Sequence, residues 1–419
     1  MNAGLLLLIL MLGLSFIGVP IFTSIGIATL IALLKGGFPE IIVVQMLFSG
    51  MNSTALLAIP FFMLAGNVMA TGGISQKLID IFDSLVGWVK GSLGVVTVVS
   101  SAFFGAVSGS AVACCSAIGG IMMPSMKKNG YGTEFTAATV SASSILGMMI
   151  PPATTLIVFG ASAEISISNL FKSALLPGIG MTVIFAIYVL IYAYKNDLPA
   201  KPRSSAKQIR DTLRIGIWAL LMPVIVLGSI FGGIATATES AALAVVYTLI
   251  VSKFVYRQLD FKNFKNMTYN AGITTAAVLM LVGFSKASSW VITSSRLPVV
   301  LTSWISTFTS SPVQVLLLIN ILLLLVGMIM ESCAAVVMLT PLLIPLANSV
   351  GVDTVHLGVI MSFNLCIGLL TPPVGNCLML GYSMAGADFS GTLKKISPFI
   401  VLSIIWLMFI TYIPKLCLI

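Results

Sequence analysis

Long apolar runs separated by short polar breaks dominate the chain, and their spacing sets the first expectation. Runs of about 20 residues suit helices that cross a hydrocarbon core about 30 Å thick. Punctuated by Gly, Pro and charge, they predict spans near residues 4–18, 20–35, 41–70, 132–169 and 174–194, then a second set near 213–230, 237–256, 267–295, 354–389 and 396–414. Between the third and fourth span of each set lies a shorter segment, Ser75 to Lys90 and Arg296 to Thr309, followed by a long apolar stretch with a polar, glycine-containing middle. Those stretches, 92–126 and 313–347, read as re-entrant helical hairpins. No alternating pattern of β-barrel type is present. The opening "MNAGLLLLILMLGLSF" has no basic region before its apolar run and is expected to be a retained span, not a cleaved signal.

The two sets are copies of one another. At a constant offset of 221 residues, Pro124 meets Pro345, Gly147 meets Gly368, Pro151 and Pro152 meet Pro372 and Pro373, Gly160 meets Gly381, and Pro177 meets Pro398, without a gap. A weaker match at a slightly different offset relates "FIGVPIFTS" to "FGGIATATE".

Composition agrees with the pattern: 58% of residues are apolar and 8% charged, with a mean hydropathy of +1.12, outside the range of soluble globular domains. Charge then sets orientation. Of the 21 basic residues, Lys195, Lys201, Arg203, Lys207, Arg210 and Arg214 cluster in one hydrophilic linker, which the positive-inside rule places in the cytoplasm. The base of the first hairpin carries Lys90, Lys127 and Lys128, whereas that of the second, Ser310 to Pro312 and Asn348 to His356, carries no Lys or Arg. One hairpin therefore enters from inside and the other from outside. Lys253, Arg257, Lys262, Lys265, Lys394 and Lys395 also fall inside on this scheme; Lys35, Lys172, Arg296 and Lys415 do not. The net charge of +9 is an orientation signal and implies no nucleic acid. The expected architecture is an all-α polytopic membrane protein with two inverted repeats, 1–194 and 213–419, joined by a cytoplasmic linker, 195–212, and with both termini periplasmic. Cys114, Cys115, Cys333, Cys366, Cys377 and Cys417 form no CxxC pair and have no histidine cluster beside them, so they read as small packing residues.

Candidate chemistry lies where the spans are interrupted. "MMIPPATTLIVF" (148–159) and "LLTPPVGNCLML" (369–380) place a double proline inside two apolar spans. Proline removes a backbone donor and disfavours helix at the preceding residue, so each pair marks an unwound point. In lipid the freed carbonyls and amides need partners, and paired broken helices in inverted repeats are how secondary transporters ligate Na+ and receive anionic substrates. The hairpin tips, "GAVSGSA" and "GMIMESC", supply further oxygens for a hard cation. Tip one is expected against Pro151 to Thr155 and tip two against Thr371 to Asn376. The expected Na+ ligands are Ser108, Gly109, Ser110, Pro151 and Thr154 in one site, and Glu331, Ser332, Thr371, Pro372 and Gly375 in the other. Substrate is expected between the tips, held by Ser108, Ser110, Thr154, Thr155, Ser332 and Asn376.

Plainer roles compete. Each Pro-Pro could be a kink held by neighbouring helices. Glu331 reads as a buried acid, for which function is the default. Glu239 in "ATATES" reads as a helix cap. Lys286, about ten residues from the outer end of its span, either snorkels outward or attracts an anionic substrate. An enzyme is disfavoured: "GAVSG" has one residue too many for the GxSG of intramembrane serine proteases, and the sole histidine, His356, sits at a hairpin base. A channel is a further alternative, because re-entrant loops also build filters.

"LLAIPFFMLAG" (56–66), "GGIATATESAALAVVY" (232–247), the "SGSA" tip and both Pro-Pro segments resemble the large membrane subunit of TRAP transporters, the tripartite ATP-independent periplasmic family, over essentially the whole chain. The resemblance implies an elevator-type Na+ symporter in the bacterial inner membrane. It also implies a separate small membrane subunit and a periplasmic substrate-binding protein that delivers an organic acid, with sialic acid and C4-dicarboxylates as the leading candidates. The family's two Na+ sites carry over to Ser108–Ser110 with Pro151–Thr155, and to Glu331 and Ser332 with Thr371–Asn376. Two positions depart from the family: aspartate often stands where this chain has Glu331, and a small or neutral residue is expected at Lys286. A self-sufficient Na+/carboxylate symporter of the same architecture is the other function this sequence suits.

Overall fold

A computed structural model describes residues 2–306 and 311–417, and no strand occurs among them. The repeat is visible in where helices start. Hairpin one consists of α6 (Ser92–Ser108) and α7 (Ala111–Lys128); hairpin two consists of α16 (Pro312–Gly327) and α17 (Ser332–Ser349). Adding 221 to the bounds of α7 reproduces those of α17, and the residues before them, Ser110 and Glu331, cap their helices by accepting from Ala113 N and Ala334 N, which are themselves 221 apart. One capping geometry is thus met by two side chains of different charge.

Each broken helix breaks at its double proline. The first runs as α8 (Thr133–Ser144), the single turn α9 (Leu146–Met149), an unwound stretch at 150–153 and α10 (Thr154–Ala163). The second runs as α18 (Thr354–Gly368), a longer unwound stretch at 369–375 and α19 (Asn376–Ala385). The Pro151–Pro152 and Pro372–Pro373 bonds are both cis. After the second break, Cys377 and Leu378 N–H groups both return to the Leu369 carbonyl, so part of the exposed backbone is satisfied across the gap.

The hairpins point toward each other from opposite ends. At the base of hairpin one, Lys90 pairs with Asp197, Lys201 N donates to Gly87 O, and Lys127 Nζ donates to Ala385 O at the end of α19. At the base of hairpin two, Thr354 at the start of α18 lies by Asn348. The second broken helix therefore runs from the base of one hairpin to the base of the other.

The remaining helices lie around these. In chain order these are α1 (Ala3–Phe16), α2 (Ile21–Gly36), α3 (Ile41–Met51), α4 (Ala58–Thr71), α5 (Ile74–Val86), α11 (Ile167–Lys195), α12 (Ala206–Phe231), α13 (Ala237–Ile250), α14 (Phe261–Ser294), α15 (Leu297–Ser306) and α20 (Phe389–Tyr412). α4 packs on α13, α5 on α12, and α14 on both α2 and α3, forming an outer framework, whereas α11 packs on α6 and α18, and α20 on α8 and α18. Among the described residues, eight helical segments are long and apolar enough to cross a membrane. The most enclosed of them are the first broken helix, whose most apolar stretch is 94% buried, and α17, at 72%, against 28% for α20.

Several expected boundaries shift. The single span at 41–70 is two helices separated by Asn52, Ser53 and a 3-10 turn at Thr54–Leu57, where the polar run "MNST" outcompetes the flanking apolar residues. The broken helix expected over 132–169 ends at Ala163, and α11 already starts at Ile167 under a Ser166 cap. The linker expected over 195–212 turns helical at Ala206, because Ser205 and Gln208 form a reciprocal capping box, so Lys207, Arg210 and Arg214 lie on α12. The end of the second arm, 307–310, and with it Ser310 of the second hairpin base, lies outside the described residues.

Candidate functional site

Tip one is shut against the first break. Gly109 takes a left-handed φ of 61°, and its carbonyl accepts from both Thr154 N (3.2 Å) and Thr154 Oγ1 (2.9 Å). A side chain at Gly109 would meet Pro152 O at 2.5 Å, and one at Gly147 would meet Ser110 O at 2.9 Å. Both glycines are required by close backbone approach. The Pro152 carbonyl oxygen lies against Gly109 and that of Ser110 against Gly147, and Ser108, Thr154 and Pro151 are all buried. Oxygens of this type, without a carboxylate, suit a monovalent hard cation. Among the described residues no group of three His, Cys, Asp or Glu side chains comes together as a metal cluster.

Tip two is built differently. Gly368 packs on Gly327, where an added Cβ would lie 2.3 Å from the Gly327 carbonyl carbon, and Val374 N donates to Met328 O at 3.2 Å. Ser332 is buried and faces Leu365 O at 3.4 Å; Thr371, in the unwound stretch, donates its hydroxyl to Ile367 O at the end of α18. Gly375 is buried with φ 46°, whereas Pro373 and Asn376 are exposed. Glu331 is not the buried acid expected: its side chain lies on the surface and turns back to cap α17, the local partner that its position before a helix offers.

The two tips meet around Thr154, whose Oγ1 also receives a long contact from Cys333 Sγ at 4.0 Å. Ser108, Gly109, Ser110, Pro151 and Thr154 are brought together as expected. Thr155 is not part of that group: its hydroxyl shares a 2.5 Å bond with Ser362, joining the two broken helices in a buried contact. Glu239 caps α13 in a reciprocal box with Thr236, as its sequence suggests. All six cysteines are free and buried. His356 bonds Ile410 O at 2.9 Å.

A second polar region was not expected. A cavity of about 350 Å³ opens between the α3–α4 break, the end of α10 and α14, and in it Lys286 pairs with Glu164. That bond holds the Glu164 carboxyl below its ordinary value. Lys286 therefore does not snorkel away from the protein. The pair joins residues 122 positions apart, and no local sequence signal marks it.

An all-helical protein of apolar spans, with two hairpin tips seated on two unwound helix segments, has the architecture of a polytopic membrane transporter. The fold of the Alcanivorax borkumensis YdaH transporter, whose crystal structure reveals an unusual topology, is similar, with a TM-score of 0.68 at 14% identity over 98% of each chain. Residues 8–416 match the family described as tripartite ATP-independent periplasmic transporter, DctM component, and the chain belongs to that family. It is a transporter permease and not an enzyme. Related permeases include the isethionate TRAP transporter permease DctMQ of Oleidesulfovibrio alaskensis, 38% identical over 96% of this chain and 63% of that protein. The C4-dicarboxylate large permease DctM of Pseudomonas aeruginosa is 36% identical over 89% and 87%, and the sialic acid large permease SiaM of Vibrio cholerae is 33% identical over 96% and 95%. The chain thus spans about two thirds of DctMQ and nearly all of the other two. Membership implies a small membrane subunit and a periplasmic binding protein as partners, and places this multi-pass chain in the inner membrane.

Proposed function

We propose that this permease imports an organic acid by Na+ symport, with the hairpins and broken helices moving as one body against the outer framework. The observation that carries this reading is the matched pair of tips, each seated on an unwound segment at one sequence offset. Two such seats in opposed orientation suit two cation sites and one substrate position between them. In the first, Ser108, Gly109, Ser110, Pro151 and Thr154 hold Na+ as cargo; in the second, Glu331, Ser332, Thr371, Pro372 and Gly375 do so. Substrate lies between the tips, within reach of Ser108, Ser110, Thr154, Ser332 and Asn376. The linker side, with Lys90, Lys127, Lys128 and Lys201, is cytoplasmic, and both termini are periplasmic. Relatives that carry isethionate, C4-dicarboxylates and sialic acid support an anionic organic substrate, and sialic acid is the first to test.

The test is uptake of labelled sialic acid into proteoliposomes holding this chain and its small subunit, with purified binding protein outside and an inward Na+ gradient. Uptake that needs both Na+ and binding protein is expected. Uptake indifferent to Na+ would overturn the symport, and uptake without binding protein would point to a self-sufficient symporter. Absence of sialic acid uptake alone redirects the same assay to C4-dicarboxylates.

A further inference from the structure

Lys286 and Glu164 meet in the one cavity described above that joins the outer framework to the body holding the hairpin tips. Asn52 and Ser53 come from the α3–α4 break, Lys286 from α14, and Ser162 and Glu164 from the end of α10. Ser285 Oγ donates to Val337 O at 2.8 Å and closes the floor between α14 and α17. At about 350 Å³ the space is at the lower end of small-molecule pockets.

The two charges are unequally held. The Lys286 side chain is 33% exposed and the Glu164 side chain 73%. Glu164 also ends α10 with a left-handed φ of 56°, so its carboxylate sits at a helix C-terminus, where the peptide dipoles oppose a negative charge. The helical run beginning at Thr54, in contrast, lines the cavity with its first residue, the end of a helix that favours an anion. The lysine is thus sunk in a polar pocket suited to an anion, while the anion now paired with it is the more weakly held partner.

We propose that this cavity is a carboxylate-binding site in which an acid group of the cargo replaces Glu164 on Lys286, a waiting position outside the site between the tips. The inference rests on the organic-acid reading above. Ten residues of α10 separate Thr154 from Glu164, about 15 Å of helix, so the two positions are distinct. On the proposed orientation the ends of α10 and α14 face the periplasm, from which cargo arrives.

Two measurements test it on the complex with the small subunit. Lys286→Gln is expected to raise the half-saturating acid concentration in uptake by about tenfold, the loss of one charge-assisted bond. Glu164→Gln is expected to lower it, and neither change should alter half-saturation by Na+. Equal shifts of the same sign in both variants would reduce the pair to a structural clasp and overturn the proposal. The second measurement does not need transport. Because the native cysteines are buried, Ser289→Cys at the cavity wall supplies one accessible thiol. Succinate or N-acetylneuraminate is expected to slow its labelling by a charged methanethiosulfonate, neutral succinamide is not, and Lys286→Gln added to it should abolish the protection. Absence of protection by either acid would refute the site even if Na+- and binding-protein-dependent uptake holds; protection without such uptake would keep the site and count against the symport.

Discussion

The two hairpin tips descend from one sequence pattern and are finished in different ways. Tip one is closed: a left-handed glycine brings its carbonyl onto two donors of Thr154, and the residues around it are buried. Tip two is held by a backbone bond from Val374 and a longer bond from Ser332 to Leu365 O, over a longer unwound stretch that includes exposed residues. At the offset of 221, Gly109 corresponds to Met330 and Ser110 to Glu331. The difference teaches that a repeat conserves the geometry of a helix start and a helix break, while the contact between them is decided residue by residue.

The largest effect that sharpens this contrast is expected at Gly109. Gly109→Ala places a Cβ 2.5 Å from Pro152 O at a φ that costs an L-residue about 1–2 kcal/mol, so uptake should fall at least about tenfold. Met330→Ala, the corresponding change at tip two, should cost clearly less; equal losses in an uptake assay would dissolve the asymmetry. Next comes the contact both tips share. Gly147→Ala and Gly368→Ala each push a Cβ into backbone, at 2.9 Å and 2.3 Å, and both should reduce uptake strongly with Gly368→Ala the worse. A normal rate for either would show that its tip does not stay seated.

Thr154→Val removes the hydroxyl bond to Gly109 O but keeps the amide bond and the side-chain shape. One hydrogen bond is worth about 1 kcal/mol, so half-saturation by Na+ should rise about fivefold. Asn376→Ala, at the more open second site, is expected to change Na+ activation less and substrate affinity more, read from the two concentration series separately. Glu331→Gln is the smallest change to structure, since an amide oxygen still accepts from Ala334 N. Expression should stay near that of the parent while Na+ dependence weakens several-fold, as expected for loss of one charge near a cation. Unchanged Na+ activation would leave Glu331 as a cap alone.

Much of this was legible in one dimension. Apolar run length, the paired prolines and the constant offset report backbone physics that acts locally: proline breaks a helix wherever it falls, and a membrane admits only helices. The hairpins, both broken helices and the segments that would face each other follow from those facts, as does the capping role of Glu239. What residues do at the tips was less legible. Glu331 looked buried because its neighbours are apolar, yet the helix start beside it offered a local partner. Thr155 looked like a ligand because of its place after Pro-Pro, yet one step of helical rotation turns it toward Ser362.

The Lys286–Glu164 pair was not legible at all. Its partners are 122 residues apart and belong to different halves of the fold, and only the packing of α10 against α14 makes them neighbours. The sequence by itself therefore determined the class of protein, the two breaks and the two tips, because these depend on forces within a single turn of chain. The tertiary structure alone decided which tip is closed, where Glu331 points and that a polar cavity joins the framework to the hairpins and broken helices, because each depends on close approach between backbones or charges that no local pattern encodes.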